Sequence, residues 1–230
     1  TIGGLRSLIE NCLFYDNYGG HSVIAYGVSE DLSIINHSTI VDNDAGGIDF
    51  SYHNSSYLIS HSFLAGNTGN WNAELMNFDA STPTVTISYS NIGGGNGSVY
   101  DEDNTGNNNQ GGLMNVVWEP GIIDVNPMFV DTANGNYHLL ASSQLINGGH
   151  PDSSDSDGSR ADIGAYPYLN SYSGPTWYIT ESGNDTTATG ASDDPFRSIQ
   201  SGINFSSDAD SVTVAAGTYV ENINFRGRNI

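Results

Sequence analysis

Lysine is absent, and five basic residues, all arginine, face 26 acidic ones, for a formal net charge of −21 at pH 7 over 230 residues. Phosphate recognition needs clustered Lys and Arg, so this balance makes nucleic acid and anionic membranes poor partners. It favours solubility and association with cations instead. Cysteine is almost missing as well. Cys12 stands alone, has no partner for an intrachain disulfide, and reads as a buried free thiol, because unpaired Cys packs as a small hydrophobe. No apolar run is long enough to cross a bilayer. No signal peptide is visible; the chain opens inside a repeat, so any leader is expected upstream.

What the chain has in quantity is turn-forming residues: 28 glycines and abundant Asn, Ser, Asp and Thr, the composition of a turn-rich all-β protein. One segment organises the rest. Leu8 to Asn17 returns as Ile34 to Asn43, again as Leu58 to Asn67, and more loosely as Thr86 to Gly95, where Gly95 replaces the final Asn. The repeated Ile falls at Ile9, Ile35, Ile59 and Ile87. A period of roughly two dozen residues is too short for a domain and indicates a solenoid.

Within each unit an Ile is followed three positions later by a small residue, Cys12, Ser38, Ser62 or Ser90, and then by Phe14, Ile40, Leu64 or Ile92. A strand alternates with period two, so the Ile and the small residue face one side only if the chain bends between them. The bend is expected at Glu10-Asn11, Asn36-His37, Ser60-His61 and Ser88-Tyr89. Asn17, Asn43 and Asn67, followed by glycines, mark a second corner. A third strand follows in Val23-Ile24, Ile48 to Phe50 and Glu74 to Met76.

Three short strands per turn make an all-β, right-handed parallel β-helix over residues 1–126. Equivalent residues stack about 4.8 Å apart along its axis. Cys12, Ser38, Ser62 and Ser90 are expected as an interior column, and Asn11, His37, His61 and Tyr89 as a corner column. The repeats resemble the pectate-lyase-like β-helix family, whose motif specifies shape rather than chemistry.

The regularity fades at Gly93, and a polar excursion follows from Asp101 to Asn109. Asp101 and Asp103 alternate with other oxygen-bearing residues, as at the start of a calcium loop. The acidic residue that would close such a loop is missing, since Gly112 stands there; a solvated loop is the alternative. From Pro127 to Tyr166 the sequence includes Gly135-Asn136-Tyr137, Ile146-Asn147-Gly148-Gly149 and Asp162-Ile163-Gly164. It resembles the choice-of-anchor segment that ends many bacterial secreted β-helix proteins, departing at Ser143-Gln144 and Asn147. The resemblance implies a cap over the end of the solenoid. Asp152, Asp155, Asp157 and Asp162 lie around Gly158 and Arg160. They read either as a second calcium site or as an Asp-rich turn in which Arg160 pairs with Asp162 or Asp157.

Residues 167–176 read as a linker. Residues 177–230 resemble the opening of a further β-helix unit, with a strand at Trp177-Tyr178-Ile179, a short covering helix near 195–205 started by Ser192 to Asp194, and a strand at Val212-Thr213-Val214. Phe196, Ile199 and Ile203 have the spacing of one helical face. An end-cap thus precedes a start-cap. The chain is expected either to be a window of a tandem protein or to associate head-to-tail with further copies.

The pectate-lyase-like resemblance also implies polysaccharide lyases and hydrolases as the alternative to a structural role. Such lyases use a basic side chain, helped by calcium. Here Arg6, Arg160, Arg197, Arg226 and Arg228 all lie off the middle coils. Hydrolases need paired carboxylates. The coils offer Asp16, Asp42 and Asp49, of which Asp16 and Asp42 are explained by a solvated turn. His37 and His61 could pair on zinc but lack a third ligand. The expectation is therefore a secreted or cell-surface structural and adhesive module. Its partners are further copies of itself or a surface polysaccharide. A carbohydrate-active enzyme or carbohydrate-binding module is the second reading.

Overall fold

The computed structural model describes residues 7–25, 32–51, 54–69, 72–78, 81–101 and 113–230. The chain divides into two units, Thr1–Val125 with Ile163–Ala165, and Asn126–Asp162 with Tyr166–Ile230.

In the first unit each repeat becomes three strands. The first coil has β1 (Leu8–Glu10), β2 (Leu13–Tyr15) and β3 (Tyr18–Ala25), and the second has β4 (Ser33–Asn36), β5 (Thr39–Val41) and β6 (Asp44–Asp49). The third has β7 (Ser56–Ser60), β8 (Phe63–Ala65) and β9 (Leu75–Asn77). The fourth has β10 (Thr84–Ser88), β11 (Asn91–Ile92) and β12 (Val99–Asp101), and β13 (Asn115–Trp118) extends the first sheet. Three sheets result, in the orders β1-β4-β7-β10-β13, β2-β5-β8-β11 and β3-β6-β9-β12. This is a parallel β-solenoid, and it continues through the stretch where the sequence pattern fades.

The register sets repeats on top of one another. Ile9, Ile35, Ile59, Ile87 and Trp118 align in the first sheet. Phe14, Ile40, Leu64 and Ile92 align in the second, and Ile24, Ile48, Leu75 and Val99 in the third. These stacks are the core; Ile40, Ile48, Ile59, Leu64, Leu75, Ile87 and Ile92 are all 0% exposed. All four residues expected at the first bend, Asn11, His37, His61 and Tyr89, take left-handed backbone with φ of 53°, 45°, 49° and 44°. That turn brings each Ile and the small residue three positions later to the same interior side.

Two side-chain ladders run along the corners. Ser38, Ser62 and Ser90 each donate a hydroxyl to the carbonyl two residues earlier, at 2.9, 2.8 and 2.8 Å. Each accepts the N–H of its counterpart in the preceding coil, from Cys12, Ser38 and Ser62 at 3.3, 3.2 and 3.2 Å. Cys12 keeps the pattern, its thiol donating to the Glu10 carbonyl at 3.2 Å. It is only half-buried, not the buried thiol expected, because among the described residues a coil covers it from one side alone. In the second ladder Asn17 donates its N–H and side-chain amide to Asn43 Oδ1 at 3.0 and 2.7 Å. Asn43 does the same to Asn67 Oδ1 at 3.4 and 2.6 Å. The amides of Asn43 and Asn67 also reach the carbonyls of Phe14 and Ile40.

The second unit pairs β14 (Phe129–Asp131) and β15 (Asn136–Leu139) antiparallel, and β16 (Thr176–Ile179) and β17 (Ser211–Val214) parallel around α1 (Ile199–Phe205). Ala141, Trp177, Ile179, Ala188 and Phe196 form its core, with Tyr168 and Tyr172 packed against them. The buried Asn204 on α1 donates to the carbonyls of Ala141 and Ser143 at 3.0 and 2.7 Å. The segments 127–166, 167–176 and 177–230 thus all contribute to this unit.

The helix starts later than the expected Ser192 to Asp194 cap. A bridge between Ile179 and Phe196 holds Phe196 as extended chain. The first helical N–H groups, of Ile199 and Gln200, are instead accepted by the Glu221 carboxylate at 2.8 and 3.0 Å, a favourable place for negative charge.

The Asn ladder gives a stability test. Asn43→Ala strips a buried rung, leaves the Asn17 N–H without its acceptor and takes the amide donor from the Phe14 carbonyl and Asn67 Oδ1, at a cost of about 2–4 kcal/mol. Asn17→Ala removes an exposed rung and costs less than about 1 kcal/mol. Denaturant titration of both variants checks this, and equal losses would contradict a buried ladder.

Candidate functional site

The Asn column breaks at Gly95, and the structure shows what replaces the missing amide. The buried carboxylate of Glu74, just ahead of β9, accepts the Asn67 N–H at 3.3 Å and its side-chain amide at 2.5 Å. Glu74 therefore ends the ladder in the place of a fourth Asn. Burial pushes its carboxyl up to about 7, opposed by the hydrogen bonds from Asn67 and Gly66 and helped by nearby Asp42. A pocket of about 250 Å³ lies beside it, lined by Asn67, Asn72, Glu74 and Ser98 with glycines of the second corner. The sequence clue to Glu74 is Gly95 itself: a broken column leaves two donors that some other oxygen must satisfy.

The corner column forms as a stack of rings. His37 and His61 lie 4.5 Å apart at 5°, and His61 and Tyr89 lie 6.3 Å apart at 15°. Parallel imidazoles point their in-plane nitrogens side by side rather than at a common point, so this geometry does not converge on a metal. The coil acids serve turns. Asp16 and Asp42 occupy left-handed corner positions with φ of 55° and 53°, and Asp49 accepts from the N–H and hydroxyl of Ser51.

The residues considered for calcium are dispersed. Asp103 lies outside the described residues. Asp101 is buried and accepts from Asn77 Nδ2 at 2.9 Å and the Met114 N–H at 2.7 Å. Asp152 is on the surface near His150. Asp155 accepts the Asp162 N–H at 2.9 Å. Asp157 accepts the N–H and hydroxyl of Ser159 and the N–H of Asn170. Burial alone would raise the Asp157 carboxyl, but these hydrogen bonds outweigh it and hold it below the usual range. Among the described residues, no three His, Cys, Asp or Glu side chains come together as a metal-holding group.

Arg160 pairs with neither Asp162 nor Asp157; its guanidinium donates to the Gly149 carbonyl. Asp162, 1% exposed, accepts the N–H groups of Asn147 at 2.6 Å and Tyr168 at 2.7 Å. Burial, with Asp155 and Asp157 nearby, pushes its carboxyl up to about 8 against those bonds.

Arg160 also lines a second cavity, of about 600 Å³, that sequence reasoning missed. Its wall includes Asp157, Arg160, Tyr172, Phe205, Asp208 and Arg228, contributed by the Asp-rich turn, the chain before β16, the end of α1 and the C-terminal segment. Burial lowers the Arg228 pKa, and the neighbouring Arg160 charge lowers it further. Arg226 donates to the carbonyls of Ile146 and Asn147. Burial, then Arg228 and Arg160, lowers its pKa to about 10. Three of the chain's five cations are thus gathered within electrostatic reach of one another.

Glu74 carries a pH prediction. Its folded pKa of about 7 lies above the ordinary 4.5, so the folded state binds the proton more tightly than the unfolded state. Its contribution to stability is fully present below pH 4.5 and is lost as pH rises to about 7. The loss amounts to roughly 3 kcal/mol. Glu74→Gln keeps an acceptor for Asn67 and removes the buried charge, so its stability advantage over the natural chain grows between those limits. Thermal melts at pH 4.5 and pH 8 check this; a difference independent of pH refutes it.

A family model described as "Protein of unknown function (DUF1565)" matches residues 181–225, a stretch that contains α1 and β17. That family is typical of β-helix proteins. No curated protein and no solved structure matches the chain.

Proposed function

We propose that this chain is an extracellular structural or adhesive module in which the β-solenoid acts as a stiff spacer. The observation that carries this reading is the continuity of the Ser and aliphatic columns over all four coils, with an Asn column over the first three. The first three coils are fixed to one another by sheet hydrogen bonds and by side-chain bonds at two corners, and the fourth is joined by its sheets and the serine corner. Such a stack resists bending and sliding, since a register slip would break both ladders and misalign every apolar stack. The charge of −21 supports exposure to a medium whose cations, calcium among them, screen it. Association with further copies through strand edges belongs to the same reading, because a parallel edge recruits a strand through its backbone.

The test combines sedimentation and electron microscopy, with and without calcium, with incubation against a panel of polysaccharides. Rods or end-to-end assemblies and unchanged polymer chain length are expected. New reducing ends appearing at a catalytic rate would make the chain a carbohydrate-active enzyme and defeat the proposal. Monomers at every concentration would remove the self-association.

A further inference from the structure

We infer that the cavity walled by Arg160 and Arg228 in the second unit binds a small zwitterion, an α-amino acid with an apolar or aromatic side chain. Its wall presents two guanidiniums, Arg160 and Arg228, and two carboxylates, Asp157 and Asp208. Arg160, Asp157 and Asp208 are exposed, and ion pairs between exposed side chains gain little, so such groups can stay apart and open to a ligand. Here Arg160 and Arg228 close on neither carboxylate; their guanidiniums donate to main-chain carbonyls instead.

Each charged group is held back by the chain. Arg160 is anchored on the Gly149 carbonyl through Nε and Nη2, which leaves Nη1 without a protein partner. Arg228 is anchored through Nη1 on the Ile203 carbonyl, which leaves Nε and Nη2. Asp208 receives the Asn229 N–H on Oδ1 at 2.9 Å, and its Oδ2 has no partner. Asp157 is the more fully used carboxylate, with three donors on its two oxygens. The unspent capacity is therefore several N–H donors on the cationic side and one carboxylate oxygen on the anionic side.

That capacity defines the ligand. A carboxylate bridges the free nitrogens of Arg160 and Arg228 through charge-assisted hydrogen bonds. It also relieves the mutual repulsion of two cations placed side by side. An ammonium group takes the free oxygen of Asp208. Between them, the half-buried rings of Tyr172 and Phe205, both packed on Trp177, offer an apolar wall for the ligand's side chain. A volume of about 600 Å³ is in the range of sites for small molecules. A simple anion would leave Asp208 and the rings unused, and a neutral sugar would leave the guanidiniums without a charge partner.

Calorimetry and NMR with the full chain test this directly. L-Phenylalanine is expected to bind with a Kd on the order of 1 mM, since these groups are partly solvated, and to shift the Trp177 indole N–H. Phenethylamine, which lacks the carboxylate, and hydrocinnamate, which lacks the ammonium, are expected to bind at least tenfold more weakly. Arg160→Gln should abolish the advantage of phenylalanine over phenethylamine. Asp208→Asn, which retains Oδ1 for Asn229, should abolish its advantage over hydrocinnamate. The ligand series on the natural chain decides the matter even if a variant fails to fold. No phenylalanine binding at millimolar concentration, equal binding of either half-analogue, or tighter binding of glucose or glucuronate overturns the proposal.

Discussion

At its corners a solenoid coil turns out of the strand conformation, and there its backbone groups lose the regular pairing that sheets provide. An unpaired N–H or C=O buried at a corner costs on the order of 1–3 kcal/mol, and a stack of coils repeats that cost at every turn. In this chain the corners are closed by side chains that stand in for sheet bonds. Serine hydroxyls close one corner, each serving its own coil and the preceding one, and asparagine amides close the other, each reaching into neighbouring coils. The aliphatic stacks depend on this closure, because the Ile of each repeat faces inward only if the left-handed residue after it turns the chain.

The same need is met in the second unit by carboxylates. Asp185 accepts the N–H groups of Arg197 and Ser198, Glu221 caps the helix, Glu181 receives Thr218 at 2.9 Å, and Asp162 joins Asn147 to Tyr168. Much of the acidity of this chain is therefore structural. Backbone N–H groups give these carboxyl oxygens hydrogen-bond partners without a cation, so a chain without lysine can fold around acids. Clusters of Asp in the sequence are thus weak guides to metal sites here, since oxygens of Asp101, Asp155, Asp157 and Asp162 serve main-chain N–H groups.

The scarce cations have a different distribution. Arg160, Arg226 and Arg228 converge on one region of the second unit, each tied to main-chain carbonyls. The solenoid and this region thus suit different tasks: repetition of bonded coils suits a rigid spacer, and a cavity with separated charges suits recognition. The family match at residues 181–225 falls within the second unit.

The sequence by itself determined the solenoid. A period carried by Ile9, Ile35, Ile59 and Ile87, with a small residue three positions later, is compatible only with stacked coils bent between those positions. The columns of Ser38, Ser62 and Ser90 and of Asn17, Asn43 and Asn67 follow from the same register, because local spacing decides which residues stack. Only the tertiary structure decided the rest. Glu74 replaces the missing Asn from a position 21 residues before Gly95, Phe196 is drawn out of the helix by pairing with Ile179, and Arg160 turns to Gly149 rather than to Asp157. Arg228 and Asp208 come to line one cavity with Arg160 and Asp157. None of these has a period, because each contact joins residues whose separation in sequence is arbitrary and whose meeting depends on how loops close over the finished core.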